Sequence, residues 1–137
     1  MSRRLENIPT WQPVVALRLV GRDGHWLMHC RPQGKAHAGL WEFPGGKVEN
    51  GETPRVAMVR EAEEELGIAL ATEDLRPSGF AEGSGIVLFL YTATRWAGSL
   101  EAREGGKLAW FDPAAVSSLE MPELDQALVA QLRRRQD

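Results

Sequence analysis

Glu61, Glu64 and Glu65 are the residues of this chain best suited to do chemistry, because their spacing brings them to one edge of a single predicted helix. At roughly 100° per residue, Met58, Val59, Ala62 and Leu66 form a stripe that can bury, and the three glutamates form the stripe beside it. Glu61 meets Glu64 at i+3 and Glu65 at i+4, so three like charges crowd together, near a helix C-terminus whose partial charge is also negative. An acidic helix face is ordinarily solvated, and Glu63, which points away, suits that description. Converging carboxylates are instead hard oxygen donors suited to Mg2+, with Mn2+ as substitute, since these ions take a few carboxylates together with water and phosphate oxygens. Such an ion would remove the repulsion.

Local signals define the elements that must position these acids. Thr53-Pro54 is a capping hydroxyl followed by proline at the first helical position, and Gly67 is a stop, which predicts a helix over 53–66. Pro44-Gly45-Gly46 precedes it as a glycine loop whose backbone can approach a phosphate. Upstream, Val14 to Val20 and His25 to Arg31 are β-rich runs around the turn Gly21-Arg22-Asp23-Gly24, which predicts a hairpin. A polar loop, Pro32 to Gly39, then leads to a short strand, Trp41-Glu42-Phe43. Downstream, a Pro-, Gly- and Ser-rich loop precedes Ile86 to Trp96, an apolar run expected at the centre of a sheet. Lys107 to Phe111 is another short strand, Pro113 to Leu119 a helical turn after Asp112, and Pro122 to Arg135 an amphipathic helix. Strands and helices in this order give an α/β protein with helices on both faces of a sheet.

The 137 residues fit one domain, residues 13–137, behind an N-terminal extension, residues 1–12. No apolar run approaches the ~18–20 residues of a membrane span, and the first residues lack the apolar core of a secretory signal. A cytoplasmic protein without membrane partners is therefore expected. Cys30, the single cysteine, excludes an internal disulfide and a cysteine-built zinc site. A net charge of −3 argues against a nucleic-acid polymer as ligand, and the basic run Arg133-Arg134-Arg135 reads as a solvated helix end. Trp26, Trp96 and Trp110 read as core or sheet-face residues. His25, His29 and His37 lack metal-ligand spacing with the acids and read as ordinary strand or surface histidines.

From Gly46 to Ile68 the chain reads GKVENGETPRVAMVREAEEELGI, which resembles the Nudix box, G-x5-E-x7-R-E-U-x-E-E-x-G-U with U a bulky aliphatic residue. Only Ala62 departs from it. RPQGKAHAGLWEFPGGKVENGETP, RWAG, REGGKLAW and MPELDQALVAQL extend the resemblance, to MutT-type Nudix proteins that hydrolyse 8-oxo-dGTP, over most of the chain from Val14 onward. The resemblance implies an α/β/α sandwich with a mixed central sheet. It implies that Glu61, Glu64, Glu65 and a loop-borne Glu104 bind metal, with a backbone oxygen of Gly45 as a further ligand, and that Arg60 and Glu52 pair to fix the loop before the helix. It also places Arg31 on the nucleotide's phosphates, Gly45 and Gly46 beside them, Phe43 where the base is approached, and Asp125 as a base-reading residue. Glu82-Gly83-Ser84-Gly85 and Gly106 differ from many relatives, and those differences bear on the base rather than on hydrolysis.

The activity implied is Mg2+-dependent cleavage of a nucleoside triphosphate to a monophosphate and pyrophosphate, with 8-oxo-dGTP as substrate and with Glu61 and Glu104 both open as the base. An ionised Asp125 accepting two hydrogen bonds would favour a guanine-type edge. Alternatives are another triphosphate such as CTP or dCTP, a nucleoside diphosphate derivative, and a non-catalytic Nudix module, though such a module would typically have lost a box glutamate. The oligomeric expectation is a monomer or homodimer.

Overall fold

The structure is a computed structural model that describes residues 10–136, with side chains through Arg135. Seven strands form two sheets: β1 (Gln12–Leu19), β2 (Trp26–Cys30), β3 (Trp41–Glu42), β4 (Gly45–Lys47), β5 (Arg76–Gly83), β6 (Ile86–Ala93) and β7 (Lys107–Phe111). The larger sheet has the order β4-β1-β6-β5 and the smaller β3-β2-β7. In the larger sheet β1 runs parallel to β6 and antiparallel to β4, and β5 is antiparallel to β6, so the sheet is mixed as expected.

Three sequence expectations need correction. β1 and β2 do not form a hairpin. They join different sheets, and a single bridge, Val20 to Trp26, links them across the turn. The Pro-, Gly- and Ser-rich stretch before the central strand contains β5, an edge strand whose pairing with β6 is broken by an irregularity between Pro77 and Gly79. Proline and a bulge are tolerated at a sheet edge, where one side of the backbone needs no partner. Finally, Gly45 and Gly46 lie in β4 rather than in a loop.

The helices are α1 (Pro54–Leu66), α2 (Pro113–Val116) and α3 (Glu123–Gln136), with a 3-10 turn at Thr72–Asp74. In α1 the Thr53 hydroxyl accepts the Val56 N–H, Pro54 occupies the first turn, and Gly67 closes the helix at φ 73°. Pleating sends alternate residues of β1 to opposite faces. Val15, Leu17 and Leu19 pack with Ala57, Met58, Ala62 and Leu66 of α1. Ala16 faces the other way, joining Leu88 and Leu90 of β6 and Leu128, Val129 and Leu132 of α3 in a second core. The sandwich thus fixes α1 on one side of β1 and α3 on the other. No helix among the described residues is long and apolar enough to cross a membrane.

Candidate active site

The α1 edge and one loop bring three carboxylates together. Glu61, Glu65 and Glu104 each offer an oxygen within 4.8 Å of the other two. Glu65 is almost fully buried, and its Oε2 accepts the Gly45 N–H at 3.0 Å. Desolvation, resisted by His29 and by that hydrogen bond, raises its pKa to about 7. Burial also raises Glu61, against the Arg60 guanidinium beside it. Three converging hard oxygens, with burial making the Glu61 and Glu65 charges costly to hold without a counterion, suit a divalent cation.

Glu64 is not in that group. Its side chain is half exposed, and its Oε2 is held by Arg60 Nη1 at 2.9 Å. Arg60 is the hub of this edge. It grips Glu52 through Nε at 2.6 Å and Nη2 at 2.9 Å, reaches Glu61 at 2.9 Å, and donates to the Lys47 carbonyl at 2.9 Å. That double contact draws the Glu52 pKa down to about 2, with the Glu49 N–H adding to it. The expected Arg60–Glu52 pair is therefore present and ties the loop after β4 to the helix.

The two glycines of β4 are required by close approach rather than by a left-handed turn. A Cβ on Gly45 would overlap the Val15 carbonyl, and one on Gly46 would overlap the Glu61 carboxyl. The strand can pass under the acids only without side chains, and the pairing with β1 holds it there.

Beside the carboxylates opens a cavity of about 590 Å³ whose lining includes Arg31, Phe43, Gly45, Gly46 and Asp125, the five residues expected to bind substrate. Arg31 is steadied by Glu42 at 3.0 Å and by the Ala36 carbonyl at 2.8 Å. Asp125 is buried, its Oδ2 accepts the Phe43 N–H at 3.0 Å, and desolvation raises its pKa to about 7. A larger hollow of about 680 Å³ around Trp11, Phe80 and Phe89 has Glu82 as its one ionisable group and no converging polar side chains, so the chemistry belongs to the smaller one.

Phe43 lines the cavity, buried with its ring tilted against Trp26 and its N–H on Asp125. One expectation about the base changes. Asp125 has one oxygen already engaged and burial favours its protonated form, so it does not present the two free acceptors of an exposed carboxylate. Phe80 does not line this cavity. It lies on the outer face of β5, and its carbonyl is taken by Gln131.

Sequence reasoning missed His29. Buried on β2, it donates Nε2–H to the Gly105 carbonyl at 2.8 Å and sets Nδ1 3.4 Å from Glu65 Oε1. The Glu42 carboxylate raises its pKa against desolvation, with Gly105 and Glu65 adding to the effect. A lone histidine in an apolar strand carries no signal of its own. Ser84, Pro122 and Leu124 also line the cavity without having been anticipated.

The acidic edge, the glycine strand and the adjoining cavity define a hydrolase of the Nudix family, to which this chain belongs: the NUDIX domain model matches residues 10–132. Among its curated relatives, the CTP pyrophosphohydrolase of Escherichia coli K12 is 41% identical over 101 residues, covering 72% of this chain and 75% of the relative. The 8-oxo-dGTP diphosphatase of Haemophilus influenzae is 38% identical over 111 residues, covering 80% and 82%. Among solved structures, a MutT from the Aliivibrio salmonicida and Vibrio cholerae study superposes with a TM-score of 0.80 at 31% identity, covering 90% of this chain and 98% of that one. The E. coli ORF135 protein superposes at 0.78 with 35% identity, covering 93% and 91%.

Proposed function

We propose that the protein is a Mg2+-dependent pyrophosphohydrolase that converts a nucleoside triphosphate, with 8-oxo-dGTP foremost, to its monophosphate and pyrophosphate. The observation that carries the reading is the convergence of Glu61, Glu65 and Glu104 against Gly45 and Gly46, which line a cavity shared with Arg31 and Asp125. Bound at these acids, Mg2+ would supply positive charge to the phosphate oxygens and lower the pKa of the attacking water. Glu65 would hold the ion together with a Gly45 backbone oxygen, and Glu64 would join it by leaving Arg60. Glu61 or Glu104 takes the proton from water. Arg31 orients the phosphates, and the unengaged Asp125 oxygen meets the base.

A second reading, CTP or dCTP as substrate, is favoured by the single free oxygen of Asp125. One acceptor meets the exocyclic amino group of cytosine as well as that of guanine, so it separates the two less sharply than a pair would. The similarity to a CTP pyrophosphohydrolase points the same way. Hydrolysis of 8-oxo-dGTP, dGTP, dATP, dCTP and CTP, followed by pyrophosphate release at equal concentrations, decides between them. A kcat/KM for 8-oxo-dGTP above all others supports the first reading. The fastest turnover with CTP or dCTP replaces it with the second, and orthophosphate as primary product rejects both.

A further inference from the structure

We propose that His29 is a positioning residue for the carboxylate cluster. It holds the Glu104 turn through its bond to the Gly105 carbonyl while standing against Glu65, so that one buried ring spans both halves of the site. The inference rests on the metal-site reading above and deepens it.

Glu61 and Glu65 share one turn of α1, so the helix fixes their separation. Glu104 has no such support, because it comes from the turn between β6 and β7, and a group on a loop needs external anchors to hold a productive position. One anchor precedes it: Glu101 N–H donates to the Leu66 carbonyl at 2.9 Å and Arg103 N–H to the Glu65 carbonyl at 3.0 Å. The other follows it and is His29. Gly105 at φ 87° and Gly106 at φ 79° fold the chain onto β2, in a left-handed conformation that other residues rarely adopt. A Cβ on Gly106 would overlap the Cys30 carbonyl and lie 2.8 Å from His29 Nε2, so the turn is pressed against the ring.

The other ring nitrogen supports the same assignment. His29 is 5% exposed, and its Nδ1 is the one buried side-chain nitrogen or oxygen among the described residues that lacks a hydrogen-bond partner. It faces Glu65 Oε1 at 3.4 Å and Glu42 Oε2 at 3.9 Å. Glu42 also holds Arg31, so the ring connects the carboxylates to the phosphate-side arginine. A histidine kept only to fill space in an apolar strand would be replaced by leucine without consequence for the acids.

The test is Mn2+ binding by the full chain, followed by electron paramagnetic resonance without nucleotide. His29→Leu is expected to weaken Mn2+ affinity ~10-fold or more, the scale for residues that orient metal ligands. His29→Gln, whose amide can still donate to Gly105, should keep most of the affinity. Because His29 acts through the Glu104 turn, His29→Leu should add less than about 2-fold in a Glu104→Gln background, by the logic of a coupled pair. Gly106→Ala disturbs the same contact from the turn, by pushing it off the Cys30 carbonyl and His29 Nε2, and should behave like His29→Leu, which keeps the test open if the leucine variant does not fold. Wild-type Mn2+ affinity in a folded His29→Leu or Gly106→Ala protein would overturn the proposal, as would an equal loss with and without Glu104. If Glu65→Gln bound Mn2+ like the wild type, the metal-site reading itself would fail.

Discussion

Glu65 and Asp125 are two versions of one device put to different uses. Each is a buried carboxyl on a helix, each accepts a backbone N–H from the stretch Phe43-Pro44-Gly45, and each has its pKa raised by desolvation to about 7. They differ in company. Glu65 stands with Glu61, Glu104 and His29, a set suited to a cation, whereas Asp125 lines the cavity with its second oxygen unengaged. Burial alone therefore does not say what a carboxyl is for. The neighbours decide, and under the proposed function they divide the site into a part for chemistry and a part for selection.

Removing each carboxyl should separate these parts, and the largest effect belongs to Glu65. Glu65→Gln should lower kcat by ~10²-fold or more, the scale for a lost electrostatic contribution to catalysis. Glu64→Gln, which removes an acid already paired with Arg60, should lower it less, by about 10-fold. Steady-state kinetics with Mg2+ checks the order, and equal losses would mean that the Arg60 pair does not weaken Glu64 as a ligand.

Asp125→Ala should do the reverse, flattening the ranking among nucleotides more than it slows the best substrate. A mismatched polar contact at the base costs roughly 1–3 kcal/mol, so ratios of kcat/KM should change by about that much. Unchanged selectivity would remove Asp125 from base reading while leaving the hydrolytic part standing.

The third and smallest effect is on stability. A carboxyl whose folded pKa lies above its unfolded value binds more protons when folded, so stability falls as pH rises between the two values. For Glu65 and Asp125 that window runs from their ordinary values of 4.5 and 3.8 up to about 7. Metal-free protein should therefore melt at a lower temperature at pH 7.5 than at pH 5.5. Mg2+ should recover the Glu65 share and leave the Asp125 share, which Asp125→Asn removes. Thermal melts with chelator and with Mg2+ measure both, and identical Tm values at the two pH values would contradict the burial argument.

The same division marks what could be read from the sequence. Thr53, Pro54 and Gly67 bracket α1 by local chemistry, and the i+4 convergence of Glu61 and Glu65 survives into three dimensions because a helix is rigid, whereas Glu64 turns to Arg60. β5 escaped because Pro77, Ser78 and Gly79 read as a loop, while the pairing that makes it a strand is supplied by β6. The Gly45-Gly46 strand escaped because its need for glycine comes from Val15 and Glu61, both distant in sequence. Glu104 was reached only through family resemblance, and His29 not at all, since its function depends on a turn more than seventy residues away. Asp125 was placed correctly on the last helix, but its buried environment, which changes how it meets a base, has no local signature.

The proposed reaction delivers water to a phosphoric anhydride of a nucleoside triphosphate, and turnover in oxygen-18 water is its sharpest test. With 8-oxo-dGTP or the best nucleotide of the panel and Mg2+, mass spectrometry of the products should find one labelled oxygen in pyrophosphate and none in the monophosphate, as attack at the β phosphorus requires. Label in orthophosphate released as the first product would contradict the account.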